Sequence, residues 1–564
     1  MNLFKCILVI LSVQISVFGQ DLEVTDIKVS HKNGQTFITW KDIAEGEEGS
    51  KYTYAVYRSQ SAITEENKDK PYMTGVLNNS GILFGGAFNV KNRASSTTPM
   101  TIFEENGTPL PNWSGLAVVT VDKNAKTYYA VVAFDSTNVA VTKITPGKSA
   151  TTVALDEEVK PIMPMKIYDS KNRGQYSKQT TITGTENLPL YFELHASNAQ
   201  GGGAGGYGDY YLYFSRPEWG YRDGLPGVFS ILEKKADWGV NALIVSNRET
   251  IEHPSGKSGF ETYWFGYVAV PQWAEVKEPR AYPFTERRAL WILEYCISNY
   301  KANRNQIYAG GGSMGAWGSL SFAFRQKNVF AAVYPNRPRT IQKGCPSLVP
   351  LKKDQKVLLE DGETDYFERM NTVIFAAKEK GDLPFLGWCC GRRDGFATWK
   401  EQIDLVESMK KSRHGFAFAW NDGDHSTGAT PMGEIFKYYN PKRFALNVSY
   451  PALSNSSIDN NMGNGDPKDG DMVGGINLGF KWVDPVETAT SWSLEIGNEL
   501  CKETMTVDIT PRRCQVFKIE ANQEYKWNTS DGGTGKMKAD ADGLLTIEKL
   551  KIEVGKNTKL TIEK

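Results

Sequence analysis

Histidine is scarce in this chain, five in 564 residues. Any imidazole base or metal ligand must come from that small set. No Cys/His cluster has zinc spacing and no H-E-x-x-H occurs, so neither a metal nor a cofactor is expected. A net charge of one sign is also missing: 65 Lys and Arg balance 65 Asp and Glu. That argues against nucleic acid as the main partner. Cysteine is too sparse for a disulfide scaffold, at seven in the whole chain. Cys501 and Cys514 flank a strand-like segment and are candidates to pair. Cys389 and Cys390 lie on an expected strand and point to opposite faces, as small apolar residues. Beyond residue 20 no run approaches 18 apolar residues, so no membrane span is expected.

What is present begins with a leader. Residues 1–19 read as a signal peptide, with Lys5 in a positive n-region, Cys6 to Val13 as the apolar stretch, and Val17-Phe18-Gly19 as the cleavage site. The expected location is secreted or periplasmic.

Residues 20–157 read as all-β. Thr36-Phe37-Ile38-Thr39-Trp40, Tyr54-Ala55-Val56-Tyr57-Arg58 and Tyr128-Tyr129-Ala130-Val131-Val132-Ala133 are rich in β-branched and aromatic residues. These landmarks, with Pro146-Gly147 at the exit, resemble a fibronectin type III domain; residues 60–115 exceed its usual length. Residues 158–440 alternate strand and helix patterns, the mark of a mostly parallel α/β sheet. Residues 441–564 return to β-like runs such as Trp492-Ser493-Leu494-Glu495-Ile496, which read as a second β-sandwich.

The central region carries Gly311-Gly312-Ser313-Met314-Gly315, a G-x-S-x-G. The apolar run Ile307 to Ala309 precedes it and a helix-compatible stretch follows. Strand, sharp turn and helix are the setting of a nucleophile elbow, which exposes Ser313. The helix N-terminus then offers free N–H groups to an oxyanion, the Met314 amide first. A second donor is expected in the loop after the Leu190–Leu194 strand. It runs His195-Ala196-Ser197 into Gly201-Gly202-Gly203, with Ala196 as first choice and His195 as a candidate substrate contact.

A serine hydroxyl needs a base within hydrogen-bond reach and a carboxylate to orient that base. His31 lies in the N-terminal β-region. His414 precedes a strand, at the wrong end. His195 and His253 precede Ser313, against the nucleophile–acid–base order that accompanies such an elbow. His425 remains, in Asn421-Asp422-Gly423-Asp424-His425, just past the last expected strand. The acid should end the preceding strand. Asp394 in Gly391-Arg392-Arg393-Asp394-Gly395 fits, with Asp365 as the runner-up and a helix cap or turn as its ordinary role.

Together these features make residues 158–440 resemble the α/β-hydrolase superfamily, near its secreted esterase and prolyl-oligopeptidase-like branch. The resemblance implies a doubly wound, mostly parallel sheet flanked by the two β-sandwiches, and acyl transfer through Ser313, Asp394 and His425. Gly201, Gly203 and Gly206 also spell G-x-G-x-x-G. The Tyr-rich run after them is no helix start for a pyrophosphate, so a dinucleotide is not expected.

The substrate is less legible. An aromatic loop, Thr262-Tyr263-Trp264-Phe265-Gly266-Tyr267, could face a sugar or an aromatic acyl group, with Trp264 its leading candidate. Arg392, with Arg393, Arg337 and Arg339, is placed to meet an anionic group. The accessory β-regions favour a polysaccharide or other polymeric ester as partner. An oligopeptidase-type peptidase and a non-catalytic glycan-binding protein are the alternatives. The acidic run Asp466 to Asp471 lacks EF-hand spacing and reads as a solvated turn.

Overall fold

β-branched and aromatic runs become strands along most of the chain. The computed structural model describes residues 22–81, 108–166, 186–195, 210–212, 227–236, 238–248, 262–268, 278–347, 351–352, 354–426 and 431–564. The expected signal peptide and residues 82–107 of the long 60–115 stretch lie outside them.

The N-terminal strands are β1 (Thr25–Lys32), β2 (Gln35–Lys41), β3 (Thr53–Ser59), β4 (Met73–Leu77), β5 (Ser114–Thr120), β6 (Ala125–Phe134) and β7 (Leu155–Glu157). They form two antiparallel sheets, β1-β2-β5 and β4-β3-β6-β7. A shared core joins them, with Trp40 and Tyr54 rings 5.2 Å apart. The buried Glu157 carboxylate is held there by Arg58, Thr36, Thr127 and Tyr129. Burial pushes its pKa up, but the hydrogen bonds from these partners prevail and leave it lowered.

Next come β8 (Met165–Lys166), β9 (Leu190–His195), β10 (Tyr210–Leu212), β11 (Gly227–Lys235) and β12 (Asn241–Arg248). They are followed by β13 (Tyr267–Val268), β14 (Arg280–Tyr282), β15 (Ile307–Gly312), β16 (Ala332–Asn336) and β17 (Leu358–Leu359). The last of the central region are β18 (Phe385–Gly391) and β19 (Phe416–Asn421). The C-terminal region holds β20 (Tyr450–Ser454), β21 (Gly474–Ile476), β22 (Phe480–Glu487), β23 (Ser491–Asn498) and β24 (Met505–Arg512). It closes with β25 (Glu524–Thr529), β26 (Thr534–Lys538), β27 (Ile547–Ile552) and β28 (Thr558–Glu563).

The central sheet is ten-stranded, in the order β21-β19-β18-β16-β15-β9-β12-β11-β10-β8. From β12 through β19 every pairing is parallel. The flanks are antiparallel, β11, β10 and β8 at one edge and β21 at the other. Alternation assigns each strand's residues to two faces. Phe192, Ala309, Leu386, Cys390 and Phe418 belong to one core, under helices Phe284–Tyr300, Met314–Arg325 and Trp399–Lys411. Tyr308, Tyr334, Phe385, Cys389 and Ala419 belong to the other. That second face is covered by helix Met432–Tyr438 and by the C-terminal sheets β20-β24-β27 and β22-β23-β28-β25-β26.

The region after residue 440 is therefore less separate than its sequence suggests. Phe385 stacks on Phe444 at 4.1 Å. The Arg513 guanidinium donates to Ala331 O and Ala445 O. β21 returns to the central sheet and pairs with β19. A large apolar face left by the parallel sheet explains this, since something must cover it. The cysteines described are all free, Cys501 and Cys514 included. Among the described residues no helix is long and apolar enough to cross a membrane.

Candidate active site

Ser313 sits between β15 and helix Met314–Arg325 with φ 53° and ψ −114°. A non-glycine residue at positive φ is strained by about 1–3 kcal/mol, so the surroundings must impose it. They do. The Ser313 amide donates to Asn336 O at the end of β16, at 2.9 Å. A Cβ at Gly315 would lie 1.9 Å from Leu194 O, and one at Gly311 2.5 Å from the same oxygen. The flanking glycines thus let the end of β9 press against the elbow. Ser313 itself is exposed.

His425 reaches the elbow from the loop after β19. The Ser313 hydroxyl donates to His425 Nε2 at 2.6 Å. His425 Nδ1–H donates to Asp394 Oδ2 at 2.7 Å. These contacts assign the ring proton to Nδ1 and leave Nε2 as the acceptor a base needs. Asp394, in the turn after β18, is 4% exposed. Its other oxygen accepts the Phe396 and Ala397 amides, both at 2.8 Å. The Arg337 guanidinium donates to the His425 backbone carbonyl. The arrangement can deprotonate Ser313 as it attacks a carbonyl, with the resulting imidazolium facing a fixed carboxylate.

A cavity of about 300 Å³ opens on Ser313 and His425. Met314, Trp317, Arg337, Arg339 and Phe396 complete its wall. The Arg339 guanidinium lies 5.3 Å over the Trp317 ring and donates to Glu401 Oε1 at 3.1 Å. Tyr263 backs Trp317, with ring centroids 4.3 Å apart. Phe396 is 68% exposed and its ring lies 5.1 Å from that of His425.

Several expectations about substrate contacts need correction. Trp264 is fully buried. A Cβ at Gly318 would strike its ring at 2.2 Å, and its carbonyl accepts from Arg325. It is a core side chain under the elbow helix, because the missing side chain at Gly318 makes room for it. Arg392 is 1% exposed and ends on the carbonyls of Pro467, Asp469 and Gly470, so it does not face the cavity. His195 Nε2 lies 3.6 Å from Glu193 Oε2, and the loop that follows it lies outside the described residues. Ala196, His253 and the Gly201–Gly206 motif lie outside the described residues. Asp365 caps helix Tyr366–Met370 by accepting the Glu368 amide at 3.0 Å.

Two wall residues carry signals in the sequence. Trp317 follows Ser313 by one helical turn, so both project to the same side. Phe396 is an aromatic stranded in the Gly-rich turn that carries Asp394. No group of His, Cys, Asp and Glu suited to a metal occurs among the described residues.

No family model matches the chain, and no curated protein matches it. Among solved structures it is similar to a ferulic acid esterase, 12% identical over 53% of this chain and 86% of that one, with a TM-score of 0.27. It is also similar to an S-formylglutathione hydrolase from Agrobacterium tumefaciens, 12% identical over 45% and 80% of the two chains, TM-score 0.27. A putative dipeptidyl aminopeptidase IV from Bacteroides ovatus is 11% identical over 73% of this chain and 55% of that chain, TM-score 0.29.

Proposed function

We propose that this protein is a serine hydrolase that cleaves carboxylic esters through an acyl-enzyme on Ser313. The observation that carries the reading is the continuous chain Ser313 Oγ, His425 Nε2, His425 Nδ1, Asp394 Oδ2, with links of 2.6 and 2.7 Å. Ser313 attacks, His425 takes its proton and later gives it to the leaving alcohol, and Asp394 holds the ring and stabilises the imidazolium. The Met314 amide, first of the elbow helix, is the oxyanion donor in this account.

The substrate we infer is an acyl or methyl-ester decoration on a polysaccharide. The small cavity suits one acyl group or one ring. Trp317 and Phe396 offer it flat apolar faces. The leader-like start and the β-rich regions on either side accord with work on polymers outside the cell. The test is a parallel assay on acetylated, feruloylated and methyl-esterified polysaccharides and on a peptide library. Ester release that disappears in Ser313→Ala is expected. Peptide turnover without ester release would replace the esterase reading with a peptidase one.

A further inference from the structure

Three buried side chains leave the catalytic half of the chain and end on one loop of the C-terminal half. Trp399 Nε1 donates to Met462 O at 3.0 Å and Trp420 Nε1 to Asp471 O at 2.9 Å. The Arg392 guanidinium donates to Pro467 O, to Asp469 O at 2.8 Å and to Gly470 O at 3.5 Å. Arg392, Trp399 and Trp420 are each 2% exposed or less. The guanidinium also lies 5.8 Å over the Trp399 ring. A buried cation stripped of acceptors is strongly destabilising, so Arg392 and these carbonyls hold each other in place.

The loop is folded to present those carbonyls. Asn461, Asn464 and Asp466 each accept, through a side-chain oxygen, the amide two residues ahead, all at 2.9 Å. Such Asx turns close the chain locally. Asp469 Oδ2 accepts the Asn464 amide at 3.0 Å. Gly470, at φ 83°, sits where a Cβ would come 2.5 Å from Asn461 O.

At its backbone end Arg392 belongs to the turn that carries Asp394. The Arg392 amide donates to Asn421 O and the Arg393 amide to Gly423 O, both at 2.9 Å. Arg393 Nε donates to Asp422 O at 2.7 Å. A Cβ at Gly391 would lie 2.3 Å from Gly423 O. The turn bearing Asp394 and the segment leading to His425 are thus laced together, and the 461–471 loop fixes that lacing from beneath through one guanidinium.

We propose that the 461–471 loop is part of the active-site scaffold and that Arg392 is a positioning residue setting Asp394 against His425. This rests on the hydrolase reading above. Arg392 touches no substrate in this account. Its effect passes through the Asp394–His425 hydrogen bond.

The test compares Arg392→Ala, Arg392→Lys and Gly470→Ala with the wild-type chain. Kinetics on p-nitrophenyl acetate are measured beside the proton NMR signal of His425 Nδ1–H, assigned by its loss in His425→Gln. Arg392→Ala and Gly470→Ala should lower kcat by about 10²-fold with KM little changed, the scale of a small misplacement. Their His425 Nδ1–H proton signal should move upfield, because that proton loses its short hydrogen bond to Asp394. Arg392→Lys keeps a cation for one carbonyl and should retain more rate than Arg392→Ala. If Arg392→Ala does not fold, Gly470→Ala decides the matter without touching the arginine. Folded variants with wild-type kcat and an unmoved His425 Nδ1–H signal would overturn the proposal. So would a loss carried by KM alone, which would make Arg392 a substrate contact. If the wild-type chain shows no Ser313-dependent hydrolysis, the hydrolase reading falls, and the His425 Nδ1–H signal still decides the role of the loop.

Discussion

Asp394 gives one carboxylate oxygen to His425 and the other to its own turn. Oδ2 accepts His425 Nδ1–H at 2.7 Å, while Oδ1 accepts the amides of Phe396 and Ala397. The second set fixes the direction of the first. Asp394→Asn can keep the size of the group but offers an amide where Nδ1–H needs an acceptor. The expected loss is about 10⁴-fold in kcat, the scale known for this change in serine proteases. Asp365→Asn should be nearly silent, because Asn caps a helix as well as Asp does. A dead Asp365→Asn beside an active Asp394→Asn would reverse the assignment of the acid.

Trp264 and Phe396 should separate stability from substrate contact. Trp264→Ala empties a fully buried volume beneath the elbow helix. It should cost about 3–5 kcal/mol of unfolding free energy, measured by urea denaturation. Phe396→Ala removes a ring that is mostly in water, and should leave the denaturation curve in place while raising KM for esters with a planar group. A Trp264→Ala protein of normal stability but raised KM would return that residue to the binding surface.

These two aromatics also show where sequence reasoning stops. The strand–turn–helix pattern around Ser313 is local, and so are the turns that end β18 and β19, so the elbow and the loops of Asp394 and His425 are legible. Burial of an aromatic is not local. Trp264 looks like any loop tryptophan until Gly318 is brought against it. Arg392 is similar. Its place beside Asp394 suggests a charge facing the site, but its acceptors lie far along the chain, in the 461–471 loop. β21 has three residues, two of them glycine. Its place at the edge of the central sheet has no periodic signal at all.

The C-terminal region should be required for folding and the N-terminal one dispensable for small substrates. β21 and the C-terminal sheets cover a whole face of the central sheet. A chain ending at Asn440 should be insoluble or unfolded by circular dichroism. A chain beginning at Val159 should still cleave p-nitrophenyl acetate, since Ser313, Asp394 and His425 all lie beyond it. Loss of that activity in a folded chain beginning at Val159 would mean that the N-terminal sheets complete the site.

His414 should govern part of the acid stability. Burial, and then the nearby Arg512 cation, lower its pKa from 6.5 to about 3. Its Nε2–H donates to Glu379 O at 3.1 Å, and Nδ1 faces the Arg512 guanidinium. The unfolded chain takes up a proton at this residue below pH 6.5, and the folded chain does not until about pH 3. Stability should therefore fall as pH drops through that window and be unaffected by His414 above it. His414→Gln should flatten the slope between pH 6 and 4 in urea midpoints. An unchanged slope would remove His414 from the account.

The central claim is that Ser313 is a nucleophile made reactive by His425. Labelling with a fluorophosphonate probe, read by peptide mass spectrometry, tests it most directly. The account predicts a single adduct on the peptide carrying Ser313, formed rapidly in the wild-type chain and at least about 10³-fold more slowly in a folded His425→Gln chain. A wild-type protein that stays unlabelled at Ser313, or one labelled equally fast without His425, would contradict it.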